Sequence, residues 1–110
     1  MTLFINGVAT AVLVDTADSF AKRVKGLLGK KEIPVTYAMG FKNCGAIHTF
    51  FMLTAIDVIM TGKDGRVLAL AEVLGPWKYM CNAKAVNTIE LAQGVIHQLG
   101  IQKNDLIEIK

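Results

Sequence analysis

The sequence predicts a mainly β fold of the α+β class: a compact β-sandwich or partly open barrel of about seven short strands. Three observations lead to this prediction. Short apolar segments recur along the chain, turn residues separate them, and only one long amphipathic helical pattern interrupts the series. The 110 residues fit a single domain, 1–110, and this length permits one core without metal or disulfide support.

The first fifteen residues predict a hairpin. Leu3–Ile5 and Val12–Val14 are strand-like, and Asn6-Gly7 between them is a pair favoured in type I′ turns. An amphipathic helix is then predicted near 18–28, because four apolar residues fall on one helical stripe before Gly29. These four residues are Phe20, Val24, Leu27 and Leu28.

The clearest hairpin lies in the middle of the chain. Ala55–Met60 and Arg66–Ala71 are its strands, and Asp64-Gly65 supplies the turn. Because Leu70 and Ala71 are both apolar, we expect the second strand to be buried on both faces. A short helix is predicted near 94–99. The other predicted strands are Thr36–Phe41, Trp77–Cys81, Val86–Leu91 and Leu106–Ile109.

The composition limits the possible partners and compartments. A hydrophobic fraction of 53% predicts a dense core or an exposed apolar face for binding or oligomer contact. The net charge of +3 is spread along the chain without a nucleic-acid-binding motif, so nucleic acid is disfavoured as a partner. No segment resembles a membrane span, a secretory signal or a nucleotide fingerprint. We therefore expect a soluble cytoplasmic protein without a cofactor, in which Cys44 and Cys81 are reduced.

The segment Ile47–Asp57, IHTFFMLTAID, is the most distinctive of the chain. A half-buried carboxylate at Asp57 must be hydrogen-bonded or its pKa rises, so a structural clamp on loop amides is the favoured interpretation. His48 is either a ligand contact or a histidine bonded to backbone. Phe50, Phe51 and Met52 are consecutive, so alternation cannot bury all three on one side.

Three catalytic or metal-binding arrangements remain open, each on weak evidence. His48, Asp57 and Glu90 are the catalytic candidates, the two carboxylates forming a pair if their strands are adjacent. Cys44 with His48 and Asp57 has the residue types of a nucleophile set, at an arbitrary spacing. Cys44, His48 and Cys81 lack an evident fourth zinc ligand, so no metal site is expected. The only tryptophan, Trp77, is equally consistent with core packing and with the wall of a shallow groove.

The chain resembles a bacterial and archaeal family called domain of unknown function 192. Two prolines that are usual in the family are absent, one replaced by Ala55 and one by Ala92. The resemblance implies a β-sandwich-like fold with short helices and supplies no activity. The matching motifs are Arg23–Gly29, Cys44–Met52, Ile56–Val58, Lys63–Val67, Pro76–Lys78, Ile89–Gly94, Leu99–Ile101 and Asn104-Asp105. The chemically distinctive matched positions are His48, Thr49, Met52, Asp57, Trp77 and Glu90.

Together these patterns favour an accessory binding module over an enzyme. We expect a groove near His48–Met52 and Trp77 that holds a small ligand, a peptide or a protein partner. A structural or oligomeric building block is the first alternative, and a small hydrolase or transferase is the second. The expected ligand-binding residues are His48, Thr49, Phe51, Met52 and Trp77.

Overall fold

The computed structural model describes residues 1–17 and 27–110, and the predicted first hairpin opens it. Strands β1 (Thr2–Ile5) and β2 (Val8–Thr16) pair antiparallel around Asn6 and Gly7. Both turn residues have positive φ, 52° and 82°, as a type I′ turn requires. The predicted helix near 18–28 lies, as far as residue 26, outside the described residues.

Five further strands follow the hairpin in the main sheet: β3 (Tyr37–Lys42), β5 (Ile56–Thr61), β6 (Val67–Leu74), β8 (Asn87–Ala92) and β9 (Ile107–Ile109). Within the described ranges, these seven strands form one mixed sheet in the order β6-β5-β8-β3-β2-β1-β9. Only β2 and β3 pair in parallel; the other neighbours are antiparallel. This architecture confirms the β-rich fold class.

In the described parts of the chain, one β-bridge joins the two edges of the sheet. Arg66, just before β6, pairs with Leu106, just before β9. The Val67 N–H donates to the Asp105 carbonyl at 3.0 Å, and the Ile107 N–H donates to the Gly65 carbonyl at 2.9 Å. The sheet therefore closes into a partly open barrel.

Two apolar clusters lie on opposite faces of this sheet. The helix α1 (Val95–Leu99) follows β8, at the end of the barrel where β8 ends and β5 begins. Val95 and Ile96 are buried in the first cluster, so the helix covers this end. We call that cluster the barrel core; its buried members are Leu3, Val12, Val14, Ala38, Ile59, Val67, Ile89, Leu91, Ala92, Val95, Ile96, Ile101 and Ile107. The second, the outer core, contains Ala17, Leu27, Met39, Phe41, Ile47, Met52, Ile56, Val58 and Met60.

Of the two strands of the middle hairpin, β5 is buried inside the sheet and β6 lies at its edge, so the expectation that β6 is buried on both faces is wrong. All six residues of β5 are buried, because β5 lies between β6 and β8 with an apolar cluster on each face. Strand β6 lies at the edge of the sheet, where the Arg66–Leu106 bridge closes the barrel, and it is mostly half-buried, with Glu72 and Val73 exposed. Apolar composition alone did not reveal which strand of this hairpin has a neighbour on both sides and which lies at the edge.

A two-stranded ribbon packs on the outer core. Its strands are β4 (Ala46–His48) and β7 (Tyr79–Cys81), paired antiparallel. The sequence did not predict β4, and the predicted strand Trp77–Cys81 begins only at Tyr79. The reason is the backbone of Trp77, whose φ of 63° is incompatible with an extended strand.

Candidate functional site

Alternation along the β4–β7 ribbon divides it into a buried face and an exposed face. Ile47 and its partner Met80 contact the outer core, whereas His48 and its partner Tyr79 lie on the other face and are exposed. The ribbon thus presents two ring side chains side by side to solvent.

Three more rings extend this exposed face. Phe50 lies 4.9 Å from His48 and 5.6 Å from Trp77, in a stacked arrangement with the latter, while Phe51 meets Trp77 edge-on at 4.6 Å, all between ring centroids. Trp77 is 60% exposed and Phe51 is 67% exposed, although they contact each other. We call His48, Phe50, Phe51, Trp77 and Tyr79 the aromatic surface.

The backbone beneath two of these rings is in an unfavourable conformation. Phe51 has φ 65° and Trp77 has φ 63°, in the left-handed region that bulky residues rarely adopt. Such a conformation costs about 1–2 kcal/mol for a residue with a side chain and persists only where surrounding contacts enforce it. Val73, at the end of the adjoining hairpin, has φ 53°.

The enforcing contacts converge on Thr49, which is fully buried between the two loops. Its hydroxyl donates to the Gly75 carbonyl at 2.6 Å and accepts from the Lys78 N–H at 2.8 Å. Its carbonyl accepts from the Trp77 N–H at 3.0 Å and from the Met52 N–H at 3.1 Å. One residue thus fixes the loops that carry Phe51 and Trp77.

Asp57 supplies a second clamp, deeper in the protein. It is fully buried; one carboxylate oxygen accepts from the Val73 N–H and the other from the Ile96 N–H, each at 2.9 Å. These bonds compensate the charge of Asp57 and tie β5 to the end of β6 and to α1. The geometry matches the predicted clamp on backbone amides, although the amides belong to later segments and not to the preceding loop.

The catalytic candidates are not assembled into one site. Asp57 pairs with Leu91 and Glu90 pairs with Val58, so the two carboxylates project from opposite faces of the sheet. The Nδ1 atom of exposed His48 accepts from the Phe50 N–H at 3.2 Å, and both oxygens of Asp57 are already occupied. Neither a carboxylate pair nor an Asp-oriented histidine is formed.

Glu90 lies on the outer-core face of β8, between its partners Met39 and Val58. It is 5% exposed, and among the described residues it has no hydrogen-bonding or ionic partner. Desolvation by burial raises its pKa from the ordinary 4.5 to about 7.

The two cysteines lie near the same ribbon and are both free. The Cys44 thiol donates to the Ala46 carbonyl at 3.2 Å. A hydrogen bond with exposed Cys81, together with its charge and slight desolvation, raises the pKa of Tyr79. Across the part of the chain that the structure describes, no three His, Cys, Asp or Glu side chains are grouped to hold a metal ion.

The five residues expected to bind a ligand have two different positions. His48, Phe51 and Trp77 lie on the aromatic surface, whereas Thr49 and Met52 are buried beneath it. Phe50 and Tyr79, which were not among the expected ligand-binding residues, complete the surface. The signal for Tyr79 was strand pairing, since Tyr79 opposes His48 only once β4 is recognised as a strand.

Known proteins resemble this chain in sequence and in fold. The model of the DUF192 family, described as "Uncharacterized ACR, COG1430", matches residues 1–109. The "UPF0127 protein PH1112" of Pyrococcus horikoshii is 36% identical over 102 residues, which are 86% of this chain and 85% of that protein. The "UPF0127 protein PF1050" of Pyrococcus furiosus is 32% identical over 96 residues, covering 84% and 82% of the two chains.

Two crystal structures share the fold at low identity. A protein of unknown function from Novosphingobium aromaticivorans has a TM-score of 0.83 at 22% identity, covering 98% of this chain and 84% of that one. A putative transcription regulator from Sinorhizobium meliloti has a TM-score of 0.84 at 17% identity, covering 96% and 90%. In the described parts of the present chain, no helix has the length and apolar character needed to cross a bilayer.

Proposed function

Because the chain belongs to the DUF192 family, which has no established activity, we propose from its geometry that it is a binding module. Its aromatic surface receives apolar side chains of a protein partner. The observation that carries this proposal is the pair Phe51 and Trp77, two large exposed rings on strained, tightly fixed backbone.

The energetics of these two positions favour recognition over a structural role. A turn that served only the fold would gain stability from glycine at a positive φ and would not expose an aromatic ring there. Strained residues over-determined by their surroundings cluster at binding sites, where the strain pre-organises the contact. Thr49 provides that over-determination at Phe51 and Trp77 through its bonds to both loops.

The chemistry of the surface favours a protein as the occupant. Tryptophan and tyrosine are enriched at protein interfaces and supply much of the binding energy there. The surface combines rings with polar edges, His48, Trp77 and Tyr79, with the purely apolar Phe50 and Phe51. A partner peptide can therefore bury apolar side chains against the rings and form hydrogen bonds with the polar edges of His48, Trp77 and Tyr79. The free thiols are in keeping with the cytoplasmic location proposed for this contact.

Selection from a displayed library of random peptides tests the proposal. Peptides selected on the wild-type chain should bind Trp77→Ser and Phe51→Ser at least tenfold more weakly. Val8→Ser is the matched control, because Val8 is an equally exposed apolar residue at the first hairpin. Peptides that bind both ring variants as tightly as wild type would refute the proposal, as would a failure to select any peptide.

Self-association is a second candidate for the same surface, since a large exposed apolar area also fits another copy of the chain. Light scattering over increasing protein concentration separates the two candidates. A dimer that Trp77→Ser dissociates and Val8→Ser leaves intact would assign the surface to oligomerisation. A monomer at every concentration would leave the partner protein as the occupant.

A further inference from the structure

The barrel end opposite α1 is open and contains a cavity of about 290 Å³. It lies where β2, β3 and β5 end and β8 begins, remote from the aromatic surface at the far end of β6. We call this region the barrel mouth. The lining residues that matter are Thr16, Gly40, Lys42, Thr61, Asn87 and Ile89.

Strand register arranges these residues in two layers. Asn87 is the partner of both Lys42 and Thr61, which places three polar residues at one level on adjacent strands. Two residues deeper along β8, Ile89 is the partner of Gly40, and Thr16 pairs with Gly40 from β2. The rim is thus polar, and the layer below it is apolar.

The cavity exists partly because Gly40 has no side chain. A Cβ atom at this position would lie 3.3 Å from Val14 Cγ1 and 3.7 Å from Ile109 Cδ1, on the inner side of the sheet. Gly40 is not among the residues with positive φ, so its backbone does not require glycine. Its small size leaves room above the apolar floor formed by Ile89, Ile107 and Ile109.

The rim offers hydrogen-bond donors and one positive charge. Thr61 is 3% exposed, and its hydroxyl bonds to no described residue. Lys42 is exposed and forms no ion pair within the described ranges. The side-chain Oδ1 atom of Asn87 accepts from the Asn43 N–H at 3.3 Å, which leaves the side-chain NH₂ group to face the mouth. None of the described lining residues is acidic.

We propose that the barrel mouth binds a small amphipathic carboxylate. The ammonium group of Lys42 and the Thr61 hydroxyl hold the carboxylate, and the alkyl chain lies on the isoleucine floor beside Gly40. Ligand sites commonly pair an apolar lining with a few placed polar groups, occur in the mouths of β-barrels and begin at about 300 Å³, so the ligand is short. This site is independent of the protein contact proposed above.

Octanoate is the probe, with 1-octanol to test the head group and acetate to test the chain. In an NMR titration of the ¹⁵N-labelled chain, octanoate should shift the amide signals of Gly40, Thr61 and Asn87. Octanol and acetate should each bind at least tenfold more weakly. Lys42→Gln should weaken octanoate about tenfold and leave octanol unchanged. Lys31→Gln is the control, because Lys31 is equally exposed but lies outside the lining.

Two further variants make the test decisive. Gly40→Val should fill the floor and abolish binding; if it does not fold, Thr61→Val and Lys42→Gln carry the test. Trp77→Ser should leave octanoate affinity unchanged, because the aromatic surface is a separate site. The proposal is overturned if shifts are absent at millimolar octanoate, if they centre on the Trp77 loop, or if Lys42→Gln binds octanoate like wild type.

Discussion

Removing the carboxylate of Asp57 should be among the most destabilising single changes in this fold. Asp57→Ala leaves the Val73 and Ile96 amides without their acceptors, and both bonds are charge-assisted and 2.9 Å long. Bonds of this kind contribute about 1.5–3 kcal/mol each. We therefore expect Asp57→Ala to lower the free energy of unfolding by about 3–6 kcal/mol, a large part of the ~5–15 kcal/mol typical of a domain.

Urea unfolding followed by circular dichroism measures this loss. Asp57→Asn should lose about half as much, about 1.5–3 kcal/mol, because it keeps the side-chain volume and one oxygen acceptor. Asp64→Ala is the matched control: Asp64 is exposed and accepts only the Arg66 N–H of its own turn, so the cost should stay below about 1 kcal/mol. In Asp57→Asn, hydrogen exchange should accelerate selectively at one of the two amides, Val73 or Ile96, namely the one that faces the new side-chain NH₂ group. If Asp57→Ala unfolds within about 0.5 kcal/mol of wild type, the clamp does not stabilise the fold.

Three further predictions concern the outer core and the aromatic surface. Because burial raises the pKa of Glu90 to about 7, the folded state retains a proton that the unfolded state releases between about pH 4.5 and 7. The free energy of unfolding should therefore fall by about 3 kcal/mol as the pH rises through this range. Urea titrations at pH 5 and 8 measure this fall, and Glu90→Gln should abolish it. Thr49→Val keeps the shape of residue 49 but leaves the Lys78 N–H unpaired, which should cost about 1–3 kcal/mol. It should also increase acrylamide quenching of Trp77, and unchanged quenching would show that Thr49 does not hold the Trp77 loop. Phe51→Gly should relieve the positive φ and raise stability by up to about 1 kcal/mol while abolishing partner binding, whereas a loss of stability would show that the Phe51 ring supports the fold.

Local signals in the sequence predicted most of the sheet. Asn6-Gly7 and Asp64-Gly65 mark turns whose backbone few other residues adopt, and alternating apolar residues mark the strands beside them. Strand β4 escaped prediction because its three residues are stabilised by the distant β7, at a separation that no local pattern encodes. The exposure of β6 escaped prediction for a similar reason, since the order of strands in the sheet determines which strand lies at the edge.

The candidate sites were harder to predict than the fold. The sequence marked His48, Phe51 and Trp77 by their types, yet the positive φ at Phe51 and Trp77 has no sequence signature in residues that avoid that conformation. The separation of Asp57 from Glu90 follows from a pairing register between β5 and β8, which a change of one residue would reverse. The barrel mouth depends on Gly40 facing inward. The sequence predicted the strand Thr36–Phe41 around Gly40, but its pattern did not show which face of the sheet the glycine takes.

The pairing of β1 with β9 has a consequence for how the chain reaches its native state. The Thr2 N–H donates to the Lys110 carbonyl, and the Lys110 N–H donates to the Thr2 carbonyl, so the sheet includes strand contacts more than a hundred residues apart. Pairings of such high contact order are slow, typically requiring milliseconds to seconds. During synthesis, β1 must wait with one edge unpaired until β9 has emerged from the ribosome. That interval is when intermolecular strand pairing would compete with folding, and a chaperone that shields strand edges would have its greatest effect there.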